Sequence, residues 1–237
     1  MARCLHKLMK VRMTMRIIAI DGACYHNGKP DSYCAGACLV FKADTAVNGA
    51  DLLPITDTEE GGTNQRGELL GLFSALSYIT LDDKEDWLIL TDSEYILNAM
   101  RNEWTNNWVS NNWTTATGEP VKNRDLWEHI HALANEVRCE ISYQHIKGHV
   151  VPFGEVTRRN MLSEDETGKT LLYAVAEKFD AIYPINGKRI EEAQKCSERN
   201  NYRRLPYDTL RLFVSLNTVV DAIASQIIDE YKASISM

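Results

Sequence analysis

Short apolar runs that end in an acid alternate, over the first 150 residues, with stretches of helical periodicity. Arg16-Ile17-Ile18-Ala19-Ile20-Asp21 has the pattern of a buried strand, and the following Gly22 predicts a turn. Gly36-Ala37-Cys38-Leu39-Val40-Phe41 predicts a second strand. A weaker third over 50–58 is interrupted by Pro54, which suits a sheet edge because proline cannot donate to a ladder. Gly61-Gly62-Thr63-Asn64 then punctuates the chain, and Thr63 or Asn64 is placed to cap the next helix. In that helix Leu69, Leu72, Phe73, Leu76 and Ile79 recur at helical spacing, so one face packs on a sheet. Trp87-Leu88-Ile89-Leu90-Thr91-Asp92 is another strand with a terminal carboxylate. Helices follow from Tyr95 and over 123–137, and a last strand over 140–146 leads to Lys147-Gly148-His149.

A meander of three strands followed by β-α alternation implies an α/β fold, a mixed sheet with helices packed on it. The pattern changes after residue 149. Segments 171–183 and 190–199 read as helices without strand partners, and a final helix is predicted over 209–231. Residues 1–15 read as a basic, Met-rich tail. The expected organisation is a tail over 1–15, one domain made of 16–149 and 217–237, and a helical insertion over 150–216.

Composition narrows the function classes. The 237 residues carry 26 Lys and Arg against 33 Asp and Glu, a net charge of −7, which excludes a basic coat for indiscriminate nucleic-acid binding. Six Cys without a CxxC pair read as free thiols in a reducing cytoplasm. No secretory leader is expected, and no apolar run long enough to span a bilayer. The expected setting is cytoplasmic, with no membrane partner.

Three acids stand out by position. Asp21 and Asp92 are expected at the C-terminal ends of two buried strands, where ligand sites of open α/β sheets gather. Glu68 falls in the expected first turn of the helix after Thr63. Singly, each has an ordinary structural role: turn former, dipole partner, helix cap. Together, three acids converging at one sheet edge repel one another unless a cation sits among them.

The strings Asp21-Gly22-Ala23-Cys24, Thr63-Asn64-Gln65-Arg66-Gly67-Glu68-Leu69, Leu90-Thr91-Asp92-Ser93-Glu94-Tyr95, Pro120-Val121-Lys122-Asn123-Arg124-Asp125-Leu126-Trp127 and Ile146-Lys147-Gly148-His149 occur in order. With Trp104-Thr105-Asn106-Asn107-Trp108 between them, the chain closely resembles type 1 ribonuclease H of the bacterial kind. The resemblance covers about 16–149 and, after a gap, about 217–231. It implies a ribonuclease H-like mixed five-stranded sheet with helices on both faces. It implies an endonuclease that cuts the RNA strand of RNA–DNA hybrids by two-metal-ion hydrolysis, with Mg²⁺ as cofactor and Mn²⁺ as substitute. Asp21, Glu68 and Asp92 match three of the family's four metal-binding acids. Asp221, four residues after Asn217, fits the fourth, with Asp180 its chief rival and Asp165 and Asp208 further ones. His149 matches the family's mobile His, a proton-transfer or product-release residue. Asn27, Thr63, Asn64, Gln65, Ser93, Trp104 and Lys122 match substrate-contacting positions. A monomer acting on an RNA–DNA hybrid is expected. A non-catalytic hybrid-binding module and another nuclease of the same superfamily, such as a resolvase or integrase, are the alternative readings.

Two departures from the family stand out. The aromatic protrusion over 101–124 carries Arg101, Lys122 and Arg124 against Glu103 and Glu119, so it adds little positive charge for a duplex. Glu94 also stands where the family often has an amide. The 67-residue stretch 150–216 takes the place of a short loop. Its span 186–211 holds seven basic residues (Lys188, Arg189, Lys195, Arg199, Arg203, Arg204, Arg211) against Glu191, Glu192, Glu198 and Asp208, which reads either as the missing backbone-binding charge or as a solvated helix surface with no ligand.

Overall fold

The computed structural model describes residues 15–44, 49–82, 84–152, 167–185, 187–201 and 204–236. Most of the tail, together with Asp165 and Arg203, lies outside the described residues. Five strands form one sheet: β1 Met15–Tyr25, β2 Tyr33–Asp44, β3 Gly49–Glu60, β4 Trp87–Thr91 and β5 Ile141–His145, in the order β3-β2-β1-β4-β5. β1, β2 and β3 are antiparallel, whereas β4 and β5 run parallel to β1. This is the mixed sheet the meander and alternation call for. β3 is an edge strand, so Pro54 withholds no hydrogen bond from a neighbour beyond it.

Seven helices are described: α1 Asn64–Leu81, α2 Glu94–Arg101, α3 Trp104–Ser110, α4 Arg124–Glu136, α5 Thr167–Ile182, α6 Lys188–Asn201 and α7 Tyr207–Ile235. They cover both faces. The two-residue period of β1 sends Ile18 and Ile20 into one core with Leu72, Leu76 and Trp127 of α1 and α4. It sends Ile17 and Ala19 into the other core with Val175, Phe179, Phe213 and Val220 of α5 and α7. The helices over 167–201 are therefore part of the main core. Fully buried Val175 and Phe179 are each worth about 1.5–3 kcal/mol relative to exposure.

Several expectations need correction. β1 does not turn at Gly22: it pairs with β2 from Met15 to Tyr25, so Asp21 lies inside the strand. Gly22 serves close approach instead. A Cβ there would lie 2.1 Å from the backbone of Gly67 and Glu68, and one on Gly67 would meet Ala35 O at 2.8 Å. Bare backbone on both elements lets α1 lie directly on β1 and β2. α1 begins at Asn64, which leaves Glu68 beyond the first turn, so its role is not that of a dipole partner. α7 starts at Tyr207 and crosses the expected domain boundary at 216 without a break. It is also long and apolar enough to cross a membrane by length and composition, contrary to the expectation that no segment is. Its apolar surface has another use here: most of it is buried against the sheet and α5.

Candidate active site

The register of the parallel strands places the first two acids. The last pair between β1 and β4 is Ala19–Leu90, and two residues farther along each chain comes an aspartate, Asp21 and Asp92. They are thus level at the sheet edge. α1, held on Gly22, brings Glu68 over the same point. α7 brings Asp221 from the other face of the sheet.

Electrostatics shows that the four acids share one neighbourhood. Asp21 is 8% exposed, and burial pushes its carboxyl well above the usual carboxylate range. Asp92, Asp221 and Glu68 push it the same way, while the Gly22 N–H, donating to Oδ1 at 2.7 Å, opposes them. Burial also raises Glu68, opposed by a hydrogen bond from Ser93 and reinforced by Asp92. Asp92 is raised by burial and then by Asp221, against His149 and a hydrogen bond from Asn217. Burial disfavours each charge and the neighbours add to the cost.

Each carboxylate is held by a different protein group. Ser93 caps α2, accepting from the Ile96 N–H at 3.4 Å, and its hydroxyl donates to Glu68 Oε2 at 2.5 Å. The amide of Asn217, one helical turn before Asp221, reaches Asp92. His149 Nδ1 stands 3.3 Å from Asp221 Oδ2, and Ser225 Oγ is 3.4 Å from Oδ1. His149 has a left-handed backbone, φ 54°, and a side chain 81% exposed. The preceding Gly148 is needed for clearance, since a Cβ there would lie 2.0 Å from Asp92 Oδ2.

The rival acid is engaged elsewhere. Asp180 on α5 accepts from Arg211 Nε at 2.7 Å and from the Tyr207 hydroxyl at 2.9 Å. It is Asp221, not Asp180, whose charge is felt at Asp21 and Asp92.

The expected substrate residues divide into groups. Asn27 Oδ1 accepts the Asn64 N–H at 3.0 Å, joining the β1–β2 turn to the start of α1, with Asn64 and Gln65 exposed. Thr63 occupies the N-cap position without a side-chain capping bond, so its hydroxyl is not engaged in the cap. Ser93 is buried, and its hydroxyl serves Glu68 and the α2 cap. Trp104 packs on Trp108, with ring centroids 6.0 Å apart, in a protrusion completed by Trp113 and Trp127. Lys122 is exposed just before α4. Neither Trp104 nor Lys122 makes a hydrogen bond or ion pair with the four acids. The structure adds Asn217 and Gly148, whose contacts with Asp92 no local sequence pattern announces.

Whether this donor set fits a divalent cation can be judged from its chemistry. Among the described residues no three His, Cys, Asp or Glu side chains form a ready-made metal cage. The acids are nevertheless hard oxygen donors near enough to act on one another, and Asp21, Glu68 and Asp92 are each raised by burial and by at least one other acid of the set. Asn217 Oδ1 is buried beside them without a hydrogen-bond partner. A concentration of buried negative charge with an orphaned carbonyl fits hard cations.

Comparisons with known proteins place the chain among ribonucleases H. The model of a family described as RNase H matches residues 13–160, a span that contains Asp21, Glu68, Asp92 and His149 and stops before Asp221. A ribonuclease H of Xanthomonas oryzae pv. oryzae is 36% identical over 129 residues, 54% of this chain and 77% of that protein. A ribonuclease H of Francisella tularensis subsp. novicida is 38% identical over 135 residues, 56% of this chain and 80% of that protein. Among solved structures, LC9-RNase H1, a type 1 RNase H with the type 2 active-site motif, aligns with a TM-score of 0.49 at 22% identity, covering 59% of this chain and 66% of that one.

Proposed function

This chain belongs to the ribonuclease H family, and on that footing we propose that Asp21, Glu68, Asp92 and Asp221 hold two Mg²⁺ ions, with Mn²⁺ able to stand in. The chain hydrolyses the RNA strand of RNA–DNA hybrids. The observation that best supports the four-acid assignment is the shared electrostatic neighbourhood: Asp21 alone feels Asp92, Asp221 and Glu68.

When bound, the ions supply an activated water and neutralise the charge that develops on the leaving 3′ oxygen. The chain's own residues prepare that site. β1 and β4 fix Asp21 and Asp92 level with one another, and the Gly22–Gly67 contact fixes Glu68 above them. Ser93 and Asn217 orient Glu68 and Asp92. His149, exposed and beside Asp221, is placed to take or give a proton at Nδ1 and to follow the product outward. Asn27, Thr63, Asn64 and Gln65 form one polar patch at the start of α1, with amides able both to donate to and to accept from 2′-hydroxyls.

A labelled RNA–DNA hybrid, double-stranded DNA and double-stranded RNA, each incubated with Mg²⁺, Mn²⁺ or a chelator, test this function. Cleavage of the hybrid's RNA strand alone, lost with chelator, is expected. Binding of the hybrid without cleavage would point to a non-catalytic module. Cleavage of double-stranded DNA would point to another nuclease of the superfamily.

A further inference from the structure

The inserted helix α6 packs against β5 and ends beside the active-site edge. There Arg199 reaches Glu94, the residue that opens α2 two positions after Asp92, with Nη2 3.6 Å from Oε1. Arg199 also acts electrostatically on His145 at the end of β5, together with Glu94. The remaining charges of α6 are sorted by face. Ile190, Ala193 and Gln194 are buried, while Lys188, Lys195 and Arg199, at steps of seven and four residues, lie on the exposed side. Glu191 and Glu198 are both turned to Arg204, at 2.5 and 3.8 Å. Arg204 is therefore occupied within the insertion, and Arg211 is paired with Asp180. Among the described basic residues of this span, Arg199 is carried to the rim of the site.

The pair matters for charge more than for stability. Both side chains are largely exposed, 72% for Arg199 and 59% for Glu94, and such pairs add little to folding. A phosphodiester strand approaching Asp92, however, would meet the Glu94 carboxylate at the rim and be repelled by it. We propose that Arg199, supplied by the inserted helix, masks Glu94 and turns the rim beside Asp92 into a surface that accepts the nucleic-acid backbone, with Lys195 and Lys188 continuing that surface along α6. Arg199 is thus a binding residue that acts partly through Glu94. The proposal rests on the hybrid-cleaving function given above.

The test compares wild type, Arg199→Ala, Glu94→Gln and the double variant on a labelled RNA–DNA hybrid. KM and kcat are read with Mg²⁺ at low and high salt, and Kd is read by fluorescence anisotropy with chelator. Arg199→Ala is expected to raise KM and Kd about three- to tenfold at low salt, less at high salt, with the loss in KM rather than kcat. Adding Glu94→Gln is expected to recover most of that loss, because the carboxylate whose charge Arg199 offsets is gone. Wild-type KM and Kd in Arg199→Ala, or a loss that persists at full size in the double variant, would overturn the proposal. If the wild-type chain fails to cut the hybrid, the function falls, and the Kd comparison still decides the role of Arg199.

Discussion

Ser93 donates its hydroxyl to Glu68 across the gap between α2 and α1, at 2.5 Å, while its oxygen also caps α2. One side chain thus starts a helix and aims Glu68. Ser93→Ala is expected to cost about 0.5–2 kcal/mol through the lost cap, and about 10–100-fold in activity through the unoriented Glu68. Denaturant melts and hybrid cleavage measured side by side check both. Wild-type activity in a destabilised variant would confine Ser93 to the cap.

Two glycines predict opposite kinds of damage. At Gly22 a Cβ would strike backbone 2.1 Å away, so Gly22→Ala must push α1 off the sheet. A stability loss of about 3 kcal/mol is expected, at the upper end for overpacking. At Gly148 the obstacle is the end of the Asp92 side chain at 2.0 Å, which can shift by a torsion change where backbone cannot. Gly148→Ala is expected to fold, melting within about 2 °C of wild type, and to lose roughly tenfold or more in kcat as Asp92 is displaced. Thermal melts together with kinetics separate the two cases.

The buried acids give a pH dependence whose sign is fixed. Asp21, Glu68 and Asp92 are all raised in the folded chain, first by burial. Their folded forms bind protons more tightly than the unfolded chain does. Stability is therefore fullest below the ordinary carboxylate range, and this contribution is lost as pH rises through the elevated values. At neutral pH the ion-free site opposes folding. Asp21→Asn is expected to raise Tm by about 2–4 °C in chelator while abolishing cleavage. Mg²⁺ should stabilise wild type more than the variant. Calorimetry with and without Mg²⁺ checks this, and a lowered Tm for the variant in chelator would contradict it.

Asp221 and Asp180 are distinguished by what each touches. Asp221→Asn is expected to remove Mg²⁺-dependent cleavage and leave the fold intact. Asp180→Asn weakens a contact with Arg211 and Tyr207 and is expected to lower stability by about 1 kcal/mol while retaining cleavage. Parallel activity and unfolding measurements on the two variants decide the assignment.

Much of this was legible in the order of residues. The run Trp87–Thr91 followed by Asp92 marked a strand with an acid beyond its end, and the period of Leu69, Leu72, Leu76 and Ile79 marked the face α1 buries. Pro54 correctly placed β3 at an edge. What escaped depends on contacts between elements distant in sequence. Asp-Gly at 21–22 reads locally as a turn, and only the approach of Gly67 from α1 explains why the strand continues. α7 begins at Tyr207, two residues before the expected start, directly after Pro206 and with Asp208 in its first turn. The pairing of Asn217 with Asp92 joins helix and strand across more than a hundred residues, beyond the reach of any periodicity.

Asp221 is the fifteenth of the 29 residues of α7, its midpoint. Helix ends fray within a turn or so, which leaves several intact turns on either side of this carboxylate. The far end is tied down as well, where Tyr231 stacks on Tyr33 of β2 with centroids 3.9 Å apart. A fluorophore or an affinity peptide joined after Ile235 would therefore sit about four helical turns from Asp221, beyond an anchored segment, which suits it as a tether to a surface for single-molecule work.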